Sequence, residues 1–165
     1  MDIADSARLL AMENLRGADA AINCWNDKYY WDFWRPWNAI ARADEDGNPA
    51  TEPAPGWAAL ITAPYPDHPS DHLCLDAAHT AVLQTFFGDV IEDGYQITSI
   101  STFLGPADPR TRTFGSFSHA LTEITEARIW AGLHYRTADV QAKELGQNVV
   151  DYMEANYFQP VGNAT

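Results

Sequence analysis

Three separated stretches of the chain hold side chains that can do chemistry together. Lys28 and Arg35 stand in KYYWDFWRP, Ser70 and His72 in PSDH, and Arg128 and His134 in ARIWAGLH. A phosphate-like ion presents several oxygens that must all be satisfied. Arginine offers a planar fork of donors, and lysine a compact charge. Ser70 adds a hydroxyl donor. Two histidines can divide the work: one attacks or coordinates the central atom, and the other exchanges protons with an entering or leaving oxygen near neutral pH. The ordered series K-x6-RP, PS-x-H and R-x5-H therefore predicts a bound tetrahedral oxyanion with histidine chemistry on it.

Helices must position these groups. Ile3, Ala7, Leu10, Leu15, Ala18, Ile22 and Trp25 recur at steps of three to five with no proline before Pro36, which predicts one helix over about residues 3–34. Lys28 and Arg35, two turns apart, would share its face. A second helix is predicted from Ser70 to Gly88, with Ser70 as a cap whose following amides form an anion site. A third runs from Ser116 or Ser118 to Gly132 and carries Arg128 near its end. Thr137 is read as the cap of a last helix containing Leu145, Val149, Met153 and Tyr157. Residues 43–56 and 89–115 read as loop-rich, with YQITSIS a short extended run. The fold class predicted is an all-α helical bundle forming one domain over 1–165.

Composition bounds the partners. The formal net charge of −13 opposes nucleic acid and anionic lipid, so only a local cationic pocket can hold an anion. No segment approaches the roughly 18 apolar residues of a membrane span. The first residues lack a secretory signal, which predicts a cytoplasmic protein, or a secreted one if a longer precursor was processed. Cys24 and Cys74 lack metal-type spacing and are read as reduced and packed.

The same three motifs resemble the vanadium-dependent haloperoxidase and type-2 phosphatidic acid phosphatase superfamily. The flanking FWRPWNAI, DGNPAT and RIWAGLHYR are similar to its bacterial haloperoxidase-like branch. The resemblance implies that Lys28, Arg35, Ser70, Arg128 and the amide of Asp71 contact oxyanion oxygens. His134 would bond to vanadium in a haloperoxidase, or become phosphohistidine in a phosphatase. His72 would be the general acid/base, and Asp139 would orient His134. Tyr65 holds a family position near the active-site histidine. Vanadate is the implied cofactor, with phosphate as its stand-in, and the implied substrates are halide and peroxide, or a phosphate ester.

Three residues depart from the family pattern. Asp71 replaces a glycine, Ala127 replaces a serine, and four residues rather than three separate His134 from Asp139. The long helical region that usually precedes the lysine segment is also missing, which predicts a fragment, a minimal domain or a homo-oligomer. Three functions follow as alternatives: a haloperoxidase, a metal-independent phosphatase, and a degenerate module disabled by Asp71. Simpler readings stand beside them. Lys28 and Arg35 could pair with Asp27 and Asp32, and Arg128 with Glu123 or Glu126. His72, Asp76 and His79, with His68 nearby, share a helical face that could hold a divalent metal. Trp25, Trp31, Trp34, Trp37 and Trp130 read as core or interface aromatics.

Overall fold

The computed structural model of the chain describes residues 1–101 and 104–159. Five α-helices and one β-hairpin follow in the order α1 (Ile3–Trp31), α2 (Pro36–Ala41), α3 (Asp71–Phe87), β1 (Val90–Thr98), β2 (Thr111–Ser116), α4 (Phe117–Trp130) and α5 (Arg136–Asn156), with a 3-10 turn at Ala43–Glu45. Asp2 starts α1 by accepting from the Asp5 amide at 2.8 Å. The helix stops sooner than its periodicity suggests, because Asp32 adopts a left-handed conformation with φ 44°. Arg35 is therefore not on the face of α1 that carries Lys28. It occupies the N-cap of α2, in extended backbone, with Pro36 as the first helical residue.

Helix α3 is the centre of the bundle and packs on α1, α4 and α5. Small residues allow this close approach: Ala20 of α1 and Val150 of α5 meet Ala78 and Ala81 of α3 in one cluster. In a second cluster Cys24, Leu73, Cys74 and Ala142 pack together under Leu121, Ile124 and Leu145. The backbone of α5 comes closest at Gly146, where a Cβ would lie 2.3 Å from the Cys74 carbonyl oxygen. Cys24 and Cys74 are not reduced thiols but a disulfide joining α1 to α3. The spacing of 50 residues gave no hint of this, since helix packing alone sets the two Cβ atoms face to face.

The hairpin corrects the loop reading of 89–115, of which residues 102–103 lie outside the described residues. Tyr95 pairs with Phe114, Ile97 with Arg112 and Thr98 with Thr111, and a register shift falls between Val90 and Tyr95, where Gly94 has φ 69°. Tyr95 makes a cross-strand aromatic contact with Phe114 and a second ring contact with Phe117 at the start of α4. The hairpin delivers the chain to α4, which Ser116 caps through the His119 amide. Thr137 is not the cap of α5; that position belongs to Tyr135.

None of the five tryptophans read as core or interface is fully buried, and Trp31 and Trp130 are exposed. On α1, Leu15, Ile22 and Tyr29 recur every seven residues as an exposed apolar stripe facing away from Ala20 and Cys24. Among the described residues, no helix is long and apolar enough to cross a membrane.

Candidate active site

Lys28 points from the last turn of α1 into a cage of backbone carbonyls. Its ammonium donates to Pro66 at 3.1 Å, Asp67 at 3.2 Å and Pro69 at 2.5 Å. An ammonium has three protons, so all are engaged. In this arrangement Lys28 acts on an anion through its charge and not as a direct donor. Burial brings its pKa down to about 8, although the charge of Asp71 opposes the shift.

Arg35 leaves the N-cap of α2 and crosses to the segment after α4. Its Nε donates to Tyr65 O at 3.0 Å and its Nη1 to Leu133 O at 2.9 Å. The same Nη1 stands 3.1 Å from His134 Nε2 and 3.7 Å from Asp67 Oδ1. The rings of Tyr65 and Trp37 flank its guanidinium at 5.1 and 5.5 Å. The partners of Lys28 and Arg35 are thus Asp71 and Asp67, and not Asp27 and Asp32.

Ser70 holds the N-cap position of α3 without a capping bond from its side chain. Its amide donates to Ala138 O at 3.2 Å, and its buried hydroxyl faces the Asp139 carboxylate. Asp71 opens the helix, with Oδ2 3.3 Å from His72 Nδ1. Burial pushes the Asp71 carboxyl up, but His72 and Lys28 together overcome it and hold the group well below the usual carboxylate range. His72 itself is half exposed.

Arg128 lies in the last turn of α4, and its Nε is buried without a partner. The acids proposed for it are taken: Glu123 pairs with Arg112 and Glu126 with Arg136. After α4 the chain turns at Gly132, where φ is 72° and the Trp57 ring fills the space a Cβ would need. That turn drives His134 into the core. Burial lowers the pKa of His134, and the Asp67 contact recovers part of the loss.

The carboxylate at His134 is not the one the resemblance implies. Asp139, in the first turn of α5, is buried against the Ser70 hydroxyl and within the field of Arg128. It does not meet His134. Burial pushes its pKa up to about 6. The residue at His134 is Asp67, whose Oδ1 lies 2.8 Å from His134 Nδ1. Asp67 sits between prolines in APYPDHP, and a lone aspartate between prolines was the only sequence signal for it.

The metal alternative finds no support in the geometry. His79 contacts Glu13 and lies against Gly17, and no group of three or more metal-binding side chains occurs among the described residues. A pocket of about 330 Å³ lined by Trp31, Phe33, Asp67, His68 and Tyr135 touches Asp67 but none of the six motif residues. A larger groove of about 750 Å³ between α1 and α5 includes none of the six motif residues and so is not part of the site.

Two buried arginine donors, Arg35 Nη2 and Arg128 Nε, have no protein acceptor. Orphaned donors cost free energy, and a tetrahedral oxyanion supplies the missing acceptors. They belong to one region: Arg35 and Arg128 act on each other's charge, and Ser70 and Arg128 both act on Asp139. The donor set fits vanadate or phosphate. Opposing it, Asp67, Asp71 and Asp139 match the three cations Lys28, Arg35 and Arg128 in number.

The helical bundle gathers a buried lysine, a buried arginine and a carboxylate-backed imidazole in one region. The chain is a member of the family described as the VCPO second helical-bundle domain, which matches residues 8–162, and so of the vanadium haloperoxidase and type-2 phosphatidic acid phosphatase superfamily. It is 24% identical to the vanadium chloroperoxidase of Curvularia inaequalis over 86% of its own length and 29% of that protein's. Among solved structures, a bacterial vanadium-dependent iodoperoxidase superposes with a TM-score of 0.77 at 25% identity, over 99% of this chain and 37% of that one. The apo form of a bacterial vanadium-dependent chloroperoxidase gives 0.72 at 17% identity, over 92% of this chain and 36% of its own, and speaks for the fold alone. The chain spans about a third of the length of these relatives.

Proposed function

We propose that the chain carries the oxyanion site of a vanadate-dependent haloperoxidase. The observation that supports this best is the pair of buried arginine donors without acceptors, Arg35 Nη2 and Arg128 Nε, from the first and third motifs. These would hold vanadate oxygens, with Lys28 lending charge from behind its carbonyl cage. His134 Nε2 would ligate the metal. Vanadate, when bound, supplies a Lewis acid that activates hydrogen peroxide for the oxidation of halide. His72, half exposed and paired with Asp71 through Nδ1, would exchange protons with entering and leaving oxygens. The test is calorimetric binding of orthovanadate, then halogenation of a phenolic indicator with peroxide and halide. Binding with turnover that His134→Ala abolishes supports the reading; no binding up to millimolar orthovanadate sinks it. Hydrolysis of a phosphate monoester, inhibited by vanadate, would instead place the same residues in a phosphatase.

A second reading rests on charge. Three carboxylates facing three cations leave little net attraction for a multiply charged anion, and Asp71 takes the position where the family has glycine. A module with this balance is non-enzymatic until a carboxylate is neutralised. Binding that appears only in Asp71→Asn, and not in the parent, favours it.

A further inference from the structure

We propose that Asp67 is the positioning residue for His134 and Arg35. Asp67 is fully buried, and it touches the site through three separate groups. Its carboxylate lies 2.8 Å from His134 Nδ1 and 3.7 Å from Arg35 Nη1. Its carbonyl accepts from Lys28 Nζ at 3.2 Å. Its amide donates to Phe33 O at 2.8 Å and so fixes the residue to the segment between α1 and α2.

The donor and acceptor inventory then determines the imidazole's tautomer. Arg35 Nη1 lies 3.1 Å from His134 Nε2 and 3.4 Å from Nδ1, beside the ring and not along either lone pair, so the choice falls to the carboxylate. An ionised carboxylate can only accept, so Nδ1 must carry the proton towards Asp67. The carboxylate thus favours the neutral form with Nε2 as the free base. That form is the one needed to ligate a metal or attack phosphorus. Asp139 has no contact with the ring and cannot set this choice.

The role rests on the oxyanion reading for its purpose but not for its measurement. Selective histidine ¹⁵N labelling and long-range ¹H–¹⁵N correlation report the tautomer of His134 directly, and calorimetry with orthovanadate reports the site's affinity. The wild type is expected to show the Nδ1–H form. Asp67→Asn, whose amide can donate to Nδ1, is expected to lose that single form and to weaken orthovanadate binding by about 10–100-fold, while Asp139→Asn keeps the tautomer. An Nε2–H form in the wild type overturns the proposal, as does an unchanged tautomer in a folded Asp67→Asn or its loss in Asp139→Asn. Should Asp67→Asn not fold, the wild-type and Asp139→Asn spectra still decide. An Nδ1–H wild type that binds neither orthovanadate nor phosphate would leave Asp67 its positioning role and sink the oxyanion reading instead.

Discussion

The ammonium of Lys28 and the carboxylate of Asp71 stand 3.7 Å apart, so the residue that interrupts the family's glycine is also the counter-ion of its lysine. Asp71 meets His72 with its other oxygen, which makes it both a barrier to anions and a support for the acid/base histidine. Two unit charges about 4 Å apart interact by about 4 kcal/mol at an effective dielectric of 20. Asp71→Asn keeps the shape and removes the charge. Affinity for sulfate or orthovanadate is expected to rise at least about tenfold by calorimetry; an unchanged constant means the carboxylate does not oppose the anion.

Anion affinity should fall as pH rises, in two steps with the same sign. Asp139, with its pKa raised to about 6, gains a negative charge above that pH, and Lys28, lowered to about 8, loses its positive one higher up. Sulfate, which does not titrate in this range, is the probe. Asp139→Asn should erase the lower step and Lys28→Met the upper one, seen in binding constants from pH 5 to 9.

Asp139 also links pH to stability. Its folded pKa is raised, so its contribution is fully present below the unfolded value of 3.8 and is lost as pH rises through about 6. Asp139→Asn should therefore stabilise the protein at pH 8, by up to about 3 kcal/mol, and not at pH 3.5. Equal urea midpoints for the two proteins at pH 8 would refute this.

The Cys24–Cys74 bridge closes a separation of 50 residues between α1 and α3. On the chain-entropy account a loop of that length is worth about 4 kcal/mol. Protein purified under oxidising conditions should resist thiol alkylation in urea, and Cys24→Ala/Cys74→Ala should unfold at a clearly lower urea concentration. Two alkylated thiols in that preparation would rule the bridge out.

Gly146 tests the packing at the centre. An added Cβ would meet the Cys74 carbonyl at 2.3 Å and Ala78 N at 3.1 Å, which are backbone atoms and cannot swing aside. Gly146→Ala improves helix propensity by about 1 kcal/mol, yet it should destabilise overall by about 1–3 kcal/mol as α3 and α5 are forced apart. A raised denaturation midpoint would show that the helices can separate without cost.

Helices were the most legible part of the fold, because each buries one stripe and that stripe repeats in the sequence. The spans from Ser70 to Gly88 and from Ser116 towards Gly132 were read nearly as they occur. The hairpin was half hidden: its strands are mostly exposed, so burial writes no alternation into them. The end of α1 was misread because a left-handed Asp32 leaves no mark on periodicity.

The sequence by itself determined the chemistry on offer: Lys28, Arg35, Ser70, His72, Arg128 and His134, in an order and with flanking residues that define a family. These residue types carry donors, charge and imidazole wherever they are placed. Only the tertiary structure decided which groups meet. Asp67, and not Asp139, faces His134; Lys28 spends its protons on carbonyls; Cys24 finds Cys74. Such pairings depend on how α1, α3 and the turn after α4 pack, and the side chains concerned lie dozens of residues apart, beyond the reach of any local spacing rule.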